Sequence, residues 1–320
     1  MVIYFQFLNI KIFLKTGMEE KMDTPKYAKG NVLYEGKTKK IFTVYLDGSL
    51  VPDLLIVENK DDITAFDDPK FTKKFSTKAR CATETTCRVF ELLRASGLPV
   101  AFVEQRSETE FLAPRCTMIP LEVVVRRYAV GSYLKRHPEF EKEGKPHRFG
   151  DLVVEFFLKT TKGGLKDTDG NVLIEGLDPT KGEEDPLILN PRDAAWELFH
   201  SKKPDSNPDA RLGTVHARPV INDPEYIDRM YGIARNVFLA LEVSWALQGY
   251  RFIDLKIEYG VDAKGNLLVA DVIDNDSWRL KTNDWEELSK EAFRQGEELG
   301  EVERKYELVS ELVGKLRVPV

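Results

Sequence analysis

Cysteine and histidine are scarce in this 320-residue chain: three cysteines (Cys81, Cys87, Cys116) and four histidines (His137, His147, His200, His216). An odd number of thiols, at spacings that match neither a zinc site nor a redox pair, argues against a disulfide framework. It favours buried thiols in a reducing compartment, and a cytoplasmic location is expected. None of the histidines stands at metal-ligand or triad spacing, so they read as surface or structural residues. A long cationic block is also missing. Net charge is −6 with the basic residues spread along the chain, and no nucleic-acid partner is expected. No run is long enough to span a bilayer. The opening MVIYFQFLNIKIFLK has about the length of a signal-peptide core. Lys11 interrupts it, however, no basic region precedes it and no small-residue cleavage site follows. With Met18 and Met22 close behind, residues 1–25 read as a poorly ordered extension or an upstream start, a weak organelle signal being the other reading, and no membrane association is expected. Internal repeats and low-complexity tracts are absent too, which leaves a globular chain whose 42% hydrophobic content supports one large domain or two modest ones.

From Tyr27 the chain turns to short alternating runs. VLYEGKTKKIFTVYLDGS, with a turn at Asp47-Gly48, and LLIVEN predict a small antiparallel sheet. Residues 76–96 open with capping hydroxyls and stop before Gly97 and Pro99, as a helix does. MIPLEVVVRRYAVG predicts a strand running into a turn, after which SYLKRH opens a short helix. Most of the Gly, Pro, Asp and Asn of the middle of the chain falls in residues 160–220, which read as surface excursions. Beyond Asp223-Pro224, the residues Ile227, Met230, Tyr231, Ala234, Val237, Phe238, Leu241 and Trp245 recur at helical spacing up to Gly249. This stripe predicts a core helix. Residues 284–316 carry a further apolar face through Leu299, Val302, Tyr306, Val309, Val313 and Leu316. Separate helices and antiparallel strands predict an α+β fold: an extension (1–25), a small N-terminal antiparallel-sheet lobe (26–118) and a larger C-terminal lobe (119–320).

Two stretches concentrate charge where folding alone does not require it. In FIDLKIE, Asp254, Lys256 and Glu258 share one face of a strand while Ile253, Leu255 and Ile257 take the other. If AKGN (263–266) is the hairpin tip, Glu258 stands opposite Asp271 in the returning strand, and like charges facing each other cost up to about 1 kcal/mol. A bridging magnesium ion, which takes one or two carboxylates plus water and phosphate oxygens, would relieve this. A solvated face with Lys256 as counter-charge is the alternative. In EVVVRRYAVGSYLKR, Arg126 leaves the strand on the face of Glu122 and Val124, and the turn at Gly131 places Ser132 at a helix start. Guanidinium, hydroxyl and free N–H groups together suit an anion. The plainer reading makes Ser132 an N-cap and Arg126 half of a salt bridge. Arg279 supplies a second guanidinium or pairs with Asp276. GNVLYEGKTKK misses the phosphate-loop spacing by one residue and continues as strand, yet Gly36 with Lys37 and Lys39 on one side of a ribbon can still cover nucleotide phosphates.

Taken together, LYEGKTKKIF, DDITAFD, APRCTMIPLEVVVRRYAVGSYLKRHP, FIDLKIEYGVD and ADVIDNDSWRL resemble, in order, the motifs of the phosphoribosylaminoimidazole-succinocarboxamide synthase (SAICAR synthetase) family, over roughly residues 30–315. The last two look most like the animal-type sequence, without the carboxylase domain fused there. The resemblance implies a two-lobed fold with ATP in the cleft. It also implies an ATP- and Mg2+-dependent ligase of purine biosynthesis that joins carboxyaminoimidazole ribonucleotide to L-aspartate through an acyl phosphate, commonly as a homo-oligomer. By motif, Lys37, Lys39 and Gly36 correspond to the ATP-covering hairpin, and Glu258 and Asp271 to the metal-side carboxylates. Arg126, Ser132 and Arg279 correspond to groups on the ribonucleotide phosphate. Asp254 and Lys256 fall among the catalytic polar groups, and Asp67 on a loop at the cleft mouth. Departures from the family pattern are Lys281 where an aromatic is usual, and Ser289 and Glu291 in SKEAFRQG, which leaves Lys290 and Arg294 as possible contacts. The rival readings are a kinase of related lobed architecture, which would not need Arg126, Gly131 and Ser132 together, and a silent nucleotide-binding or scaffolding protein.

Overall fold

The computed structural model describes residues 27–64, 69–160, 165–166, 172–174 and 185–318, and its frame is two antiparallel sheets. The expectations for residues 1–25 and for Asp67 lie outside the described residues. The first sheet is built from β1 (Tyr27–Glu35), β2 (Lys39–Leu46) and β3 (Ser49–Asn59). The turn between β2 and β3 has positive φ at both central residues, 50° at Asp47 and 79° at Gly48, the backbone that a tight two-residue hairpin demands and that Asp-Gly accepts readily. A ribbon of β4 (Asp62–Thr64) and β5 (Thr72–Lys74) follows, then helix α1 (Lys78–Ala95), β6 (Glu104–Gln105) and β7 (Glu110–Pro114). The five-stranded sheet has the order β1-β2-β3-β7-β6.

Strand β8 (Cys116–Tyr128) begins just after β7 ends and enters the second sheet. After it come α2 (Gly131–Arg136), β9 (Arg148–Leu158), a ribbon of β10 (Leu165–Lys166) and β11 (Val172–Ile174), then β12 (Leu187–Ile188), β13 (Ala195–Phe199) and β14 (Arg211–His216). The chain continues with α3 (Glu225–Ala246), β15 (Tyr250–Asp262), β16 (Leu267–Ala270), β17 (Trp278–Thr282), α4 (Glu291–Arg294) and α5 (Leu299–Val313). The large sheet runs β14-β13-β12-β9-β8-β15-β16, with β17 also paired to β15. This is the α+β, two-sheet arrangement expected, small sheet first. No helix among the described residues is long and apolar enough to cross a membrane.

Helix α3 explains which face of the large sheet is left for chemistry. Its stripe from Ile227 to Trp245 is buried against β15 and β8, and the Tyr259 hydroxyl, reaching over from β15, donates to the Met230 carbonyl at 3.1 Å. Leu255, Ile257 and Tyr259 therefore turn toward the helix, and the alternating pleat sends Asp254, Lys256 and Glu258 the other way. A register shift between Phe252 and Asp254 lets Phe252 join the helix side, 5.0 Å from Phe238. Trp245 closes the end of this layer edge-on to Trp278 at 5.8 Å, one residue before Arg279. All three cysteines are free; Cys81 and Cys87 are buried and Cys116 half-buried.

Trp245 has no exposed surface, whereas Leu247, just beyond the helix, is 72% exposed. Trp245→Ala is expected to lower the unfolding free energy by about 3–5 kcal/mol, and Leu247→Ala to change it by less than about 0.5 kcal/mol. Denaturant titration followed by circular dichroism measures both.

Candidate active site

The polar face of β15 meets β8 in a register that sets charges against one another: Asp254 lies opposite Arg126, and Glu258 opposite Glu122. On the other edge the hairpin differs from the expectation by one residue. Glu258 pairs with Ala270, not Asp271. The reason is the tip. The Asp262 amide donates to the Asn266 carbonyl at 3.0 Å, so the loop holds three residues, Ala263–Gly265, with Gly265 at φ 81°; a three-residue loop ending in a left-handed glycine is a common alternative to a four-residue turn. Asp271 consequently falls outside the ladder, at φ 62°. The carboxylates that face each other across strands are Glu258 and Glu122.

Lysines compensate this pair. Lys256 reaches Glu122 at 2.9 Å and Glu258 at 3.4 Å. Lys159, which follows β9, lies 2.7 Å from Glu258 and 3.9 Å from Glu122. Burial opposes ionisation of Glu258, but the fields of Lys256, Lys159 and Lys39 outweigh it and hold the carboxyl at about 2. Lys39 extends from the small sheet to the large one and forms an ion pair with Asp271. Burial draws its pKa down to about 8 against the pull of Glu258 and Asp274, with Lys256 and Lys159 adding to the depression, which leaves the ammonium mostly charged at neutral pH. Lys39 thus links Glu258 and Asp271 to one site at the junction of the sheets. Gly36 and the exposed Lys37 sit in the turn before β2, where the Gly36 amide donates to the Lys39 carbonyl at 2.9 Å.

Four residues back along β15, about 13 Å at the rise of an extended strand, lies a cluster of guanidinium groups. Arg126, 3% exposed, donates to Glu155 at 2.7 Å, to Asp254 at 2.7 Å and to the Ser132 hydroxyl at 3.1 Å. Arg279 donates to the same Asp254 oxygen at 2.6 Å and to Glu291 at 3.1 Å, rather than to Asp276. Gly131, at φ 59°, backs onto this group: a Cβ there would lie 2.7 Å from Arg279 Nη2. Both the conformation and the close approach call for glycine. Helix α2 starts at Gly131 with Val130 as its cap, so Ser132 serves Arg126 and is not the N-cap. Arg126, Ser132, Arg279 and Asp254 come together as one unit.

No sequence pattern announces a further cluster. Lys78, the first residue of α1 and 2% exposed, lies 3.3 Å from Asp274 and 3.4 Å from Asp276. Tyr306 of α5 donates its hydroxyl to Asp276 at 2.5 Å, and Lys290 reaches the other Asp276 oxygen at 3.0 Å. Burial penalises Asp276, yet Lys290 and Lys78 pull its carboxyl well below the usual range. These contacts fix the loop that carries Asp271 at one end and Arg279 at the other. Nothing local in the sequence marks Lys78; only the unusual density of acids in DVIDND hints that a distant cation must answer them. Lys281, in the place of the family's aromatic, pairs with Glu287 at 3.2 Å and donates to the Trp285 carbonyl at 3.3 Å. Arg294 meets Glu291 at 3.1 Å.

Residues 32–173 and 194–313 match the sequence profile of the SAICAR synthetase family. The chain is 35% identical over 293 residues to phosphoribosylaminoimidazole-succinocarboxamide synthase of Chloroflexus aurantiacus, covering 89% of this chain and 97% of that one. It is 38% identical over 272 residues to the probable multifunctional protein ADE2 of Caenorhabditis elegans, covering 84% of this chain but 54% of the relative, so it spans about half the length of that protein. Among solved structures, a type-2 SAICAR synthetase in complex with ADP superposes with a TM-score of 0.66 at 25% identity, over 91% of this chain and 100% of that one. The Ehrlichia chaffeensis phosphoribosylaminoimidazole-succinocarboxamide synthase gives the same TM-score at 22% identity, over 91% and 100%, and shows the shared fold. With the profile matched over most of its length and a relative of this identity covered nearly end to end, the chain belongs to the SAICAR synthetase family.

Proposed function

We propose that the protein joins the carboxylate of carboxyaminoimidazole ribonucleotide to the amine of L-aspartate, converting ATP to ADP and phosphate and giving SAICAR, a step of purine biosynthesis. Family membership and the ADP-bound relative support ligase chemistry with ATP. The observation that carries the reading to these residues is the placement of a lysine–carboxylate cluster and a guanidinium cluster on one sheet face, about 13 Å apart. That span suits a ribonucleotide with its phosphate at one end and its carboxylate at the other, beside the γ-phosphate of ATP.

In this reading Lys39, with Gly36 and Lys37 at the hairpin tip, covers the ATP phosphates. Arg126, Ser132 and Arg279 take the ribonucleotide phosphate. A carboxylate oxygen of the ribonucleotide attacks the γ-phosphorus and ADP departs; the aspartate amine then attacks the acyl carbon, phosphate leaves and the amine loses its proton. Positioning and charge compensation account for most of such catalysis. Lys256 and Lys159 hold Glu122 and Glu258 in place, and Asp254 holds the two arginines side by side.

Magnesium fits the donor set. No group of three His, Cys, Asp or Glu able to hold a metal occurs among the described residues, but Glu258 and Asp271 offer the two hard oxygen ligands that a magnesium ion needs when water and phosphate fill its remaining positions. Bound there, it would neutralise phosphoryl charge. We read the enzyme as a homo-oligomer, as the family resemblance suggests, in the cytoplasm, as its few free thiols suggest.

Purified protein incubated with ATP, Mg2+, L-aspartate and the ribonucleotide should form ADP only when all are present. ADP formation without aspartate would point to a kinase or an uncoupled step, and none at all to a silent binder. Asp271→Asn keeps a residue type that tolerates the left-handed backbone, so melting should hold within a few degrees while kcat/KM falls by at least about 100-fold; near-normal turnover would remove Asp271 from the site. Because Lys39 acts as the ammonium, kcat/KM for ATP should decline as pH rises through its pKa of about 8. Lys39→Arg should carry the plateau to higher pH, and an identical alkaline limb in that variant would assign the titration elsewhere.

A further inference from the structure

Arg279 divides its guanidinium between two carboxylates that differ in how firmly they are held. Asp254 is 4% exposed, and one of its oxygens receives both Arg126 at 2.7 Å and Arg279 at 2.6 Å. Its departure would take a shared partner from both arginines at once, leaving Arg126 on Glu155 and Arg279 on Glu291. Glu291 opens the four-residue helix α4. Its side chain is 22% exposed, and a single oxygen serves both Arg279 and Arg294 at 3.1 Å, longer than the usual 2.7–2.9 Å of a charge-assisted bond. The looser, half-buried link on Arg279 is therefore Glu291.

The charge balance points the same way. In the connected network from Arg136 through Arg126 and Arg279 to Arg294, four arginines face three carboxylates, Glu155, Asp254 and Glu291. Glu287 nearby is already matched by Lys281. The surplus is one positive charge, whereas a phosphate monoester brings about −1.5 to −2 at neutral pH. Releasing Glu291 onto Arg294 keeps that single positive surplus on Arg136, Arg126 and Arg279 against Glu155 and Asp254, and it frees an Nη2 donor of Arg279 for the ligand.

We propose that Glu291 is an internal competitor for Arg279, displaced toward Arg294 when the phosphate of the ribonucleotide substrate enters, and that it thereby sets the affinity for that substrate. The proposal rests on the reading that Arg279 binds this phosphate. The occupant it competes with is a phosphate dianion; ATP and aspartate bind independently of it.

Steady-state kinetics on the full chain separates the outcomes, with KM for ribonucleotide, ATP and aspartate measured in each variant. Glu291→Gln removes the competing charge at nearly constant shape, and KM for the ribonucleotide should fall about three- to tenfold with KM for ATP and aspartate unchanged. Arg294→Met deprives Glu291 of its other partner and should shift the same KM upward, while Glu291→Asp, which keeps the charge, should stay near the parent. A ribonucleotide KM that is unchanged or raised in Glu291→Gln overturns the proposal and makes Glu291 a support for Arg279. Arg279→Lys tests the underlying reading separately: a raised ribonucleotide KM upholds it even if the Glu291 result is negative, and an unchanged KM sinks both.

Discussion

The pairing of β8 with β15 is the constraint on which the active face depends. It sets Arg126 against Asp254 and Glu258 against Glu122 on the face away from α3, and Arg126, Asp254 and Glu258 are buried there with little access to bulk water. Removing ions from water is unfavourable by several kcal/mol each unless partners stand within hydrogen-bond reach. Here each ion has at least one. Lys256 and Lys159 bridge the two glutamates, and Asp254 bridges the two arginines. The face is thus charged but nearly balanced, and ligands act on it by exchanging one set of ion pairs for another.

Such exchange suits a reaction between anions. ATP, the ribonucleotide and aspartate all bring negative charge, and each must find a cation that the fold has not committed irreversibly. Lys39 is half-buried, reaches from the small sheet to Asp271 just beyond β16 and is drawn toward neutrality by its surroundings, so the pair that spans the lobes is also one that phosphate oxygens can replace. The guanidinium cluster is more rigid, wedged against Gly131 and anchored through Glu155, and it suits a group that has only to be held.

Much of this frame is legible in the amino-acid sequence because its signals are periodic. The stripe from Ile227 to Trp245 marks α3, the residues before Gly97 mark α1, and Asp47-Gly48 marks the first hairpin. The α+β division into a small and a large sheet follows from the same patterns. Register is harder. Whether AKGN turns as three residues or four depends on one backbone conformation at Gly265, and that single difference moves Asp271 out of the ladder and leaves Glu122 as the carboxylate facing Glu258. Lys159 and Lys78 are hidden for another reason: their partners lie 99 and 196 positions away, and no local pattern records such a pairing. The family resemblance supplies the grouping of Arg126, Ser132 and Arg279, which the structure brings together, while the Glu291 contact belongs to a stretch where this chain departs from the family's usual residues.

The buried cluster around Asp276 bears on how the protein is made. Lys78 comes from the start of α1, Asp274 and Asp276 from the loop after β16, Lys290 from just before α4 and Tyr306 from the middle of α5. A ribosome delivers them in that order, and the loop's carboxylates stay without their full complement of partners until α5 has emerged and docked. Contacts of such sequence separation form late and slow the final folding step. A nascent chain that has completed both sheets therefore still lacks part of the ion pairing of the loop after β16, and gains it only when the last helix is in place.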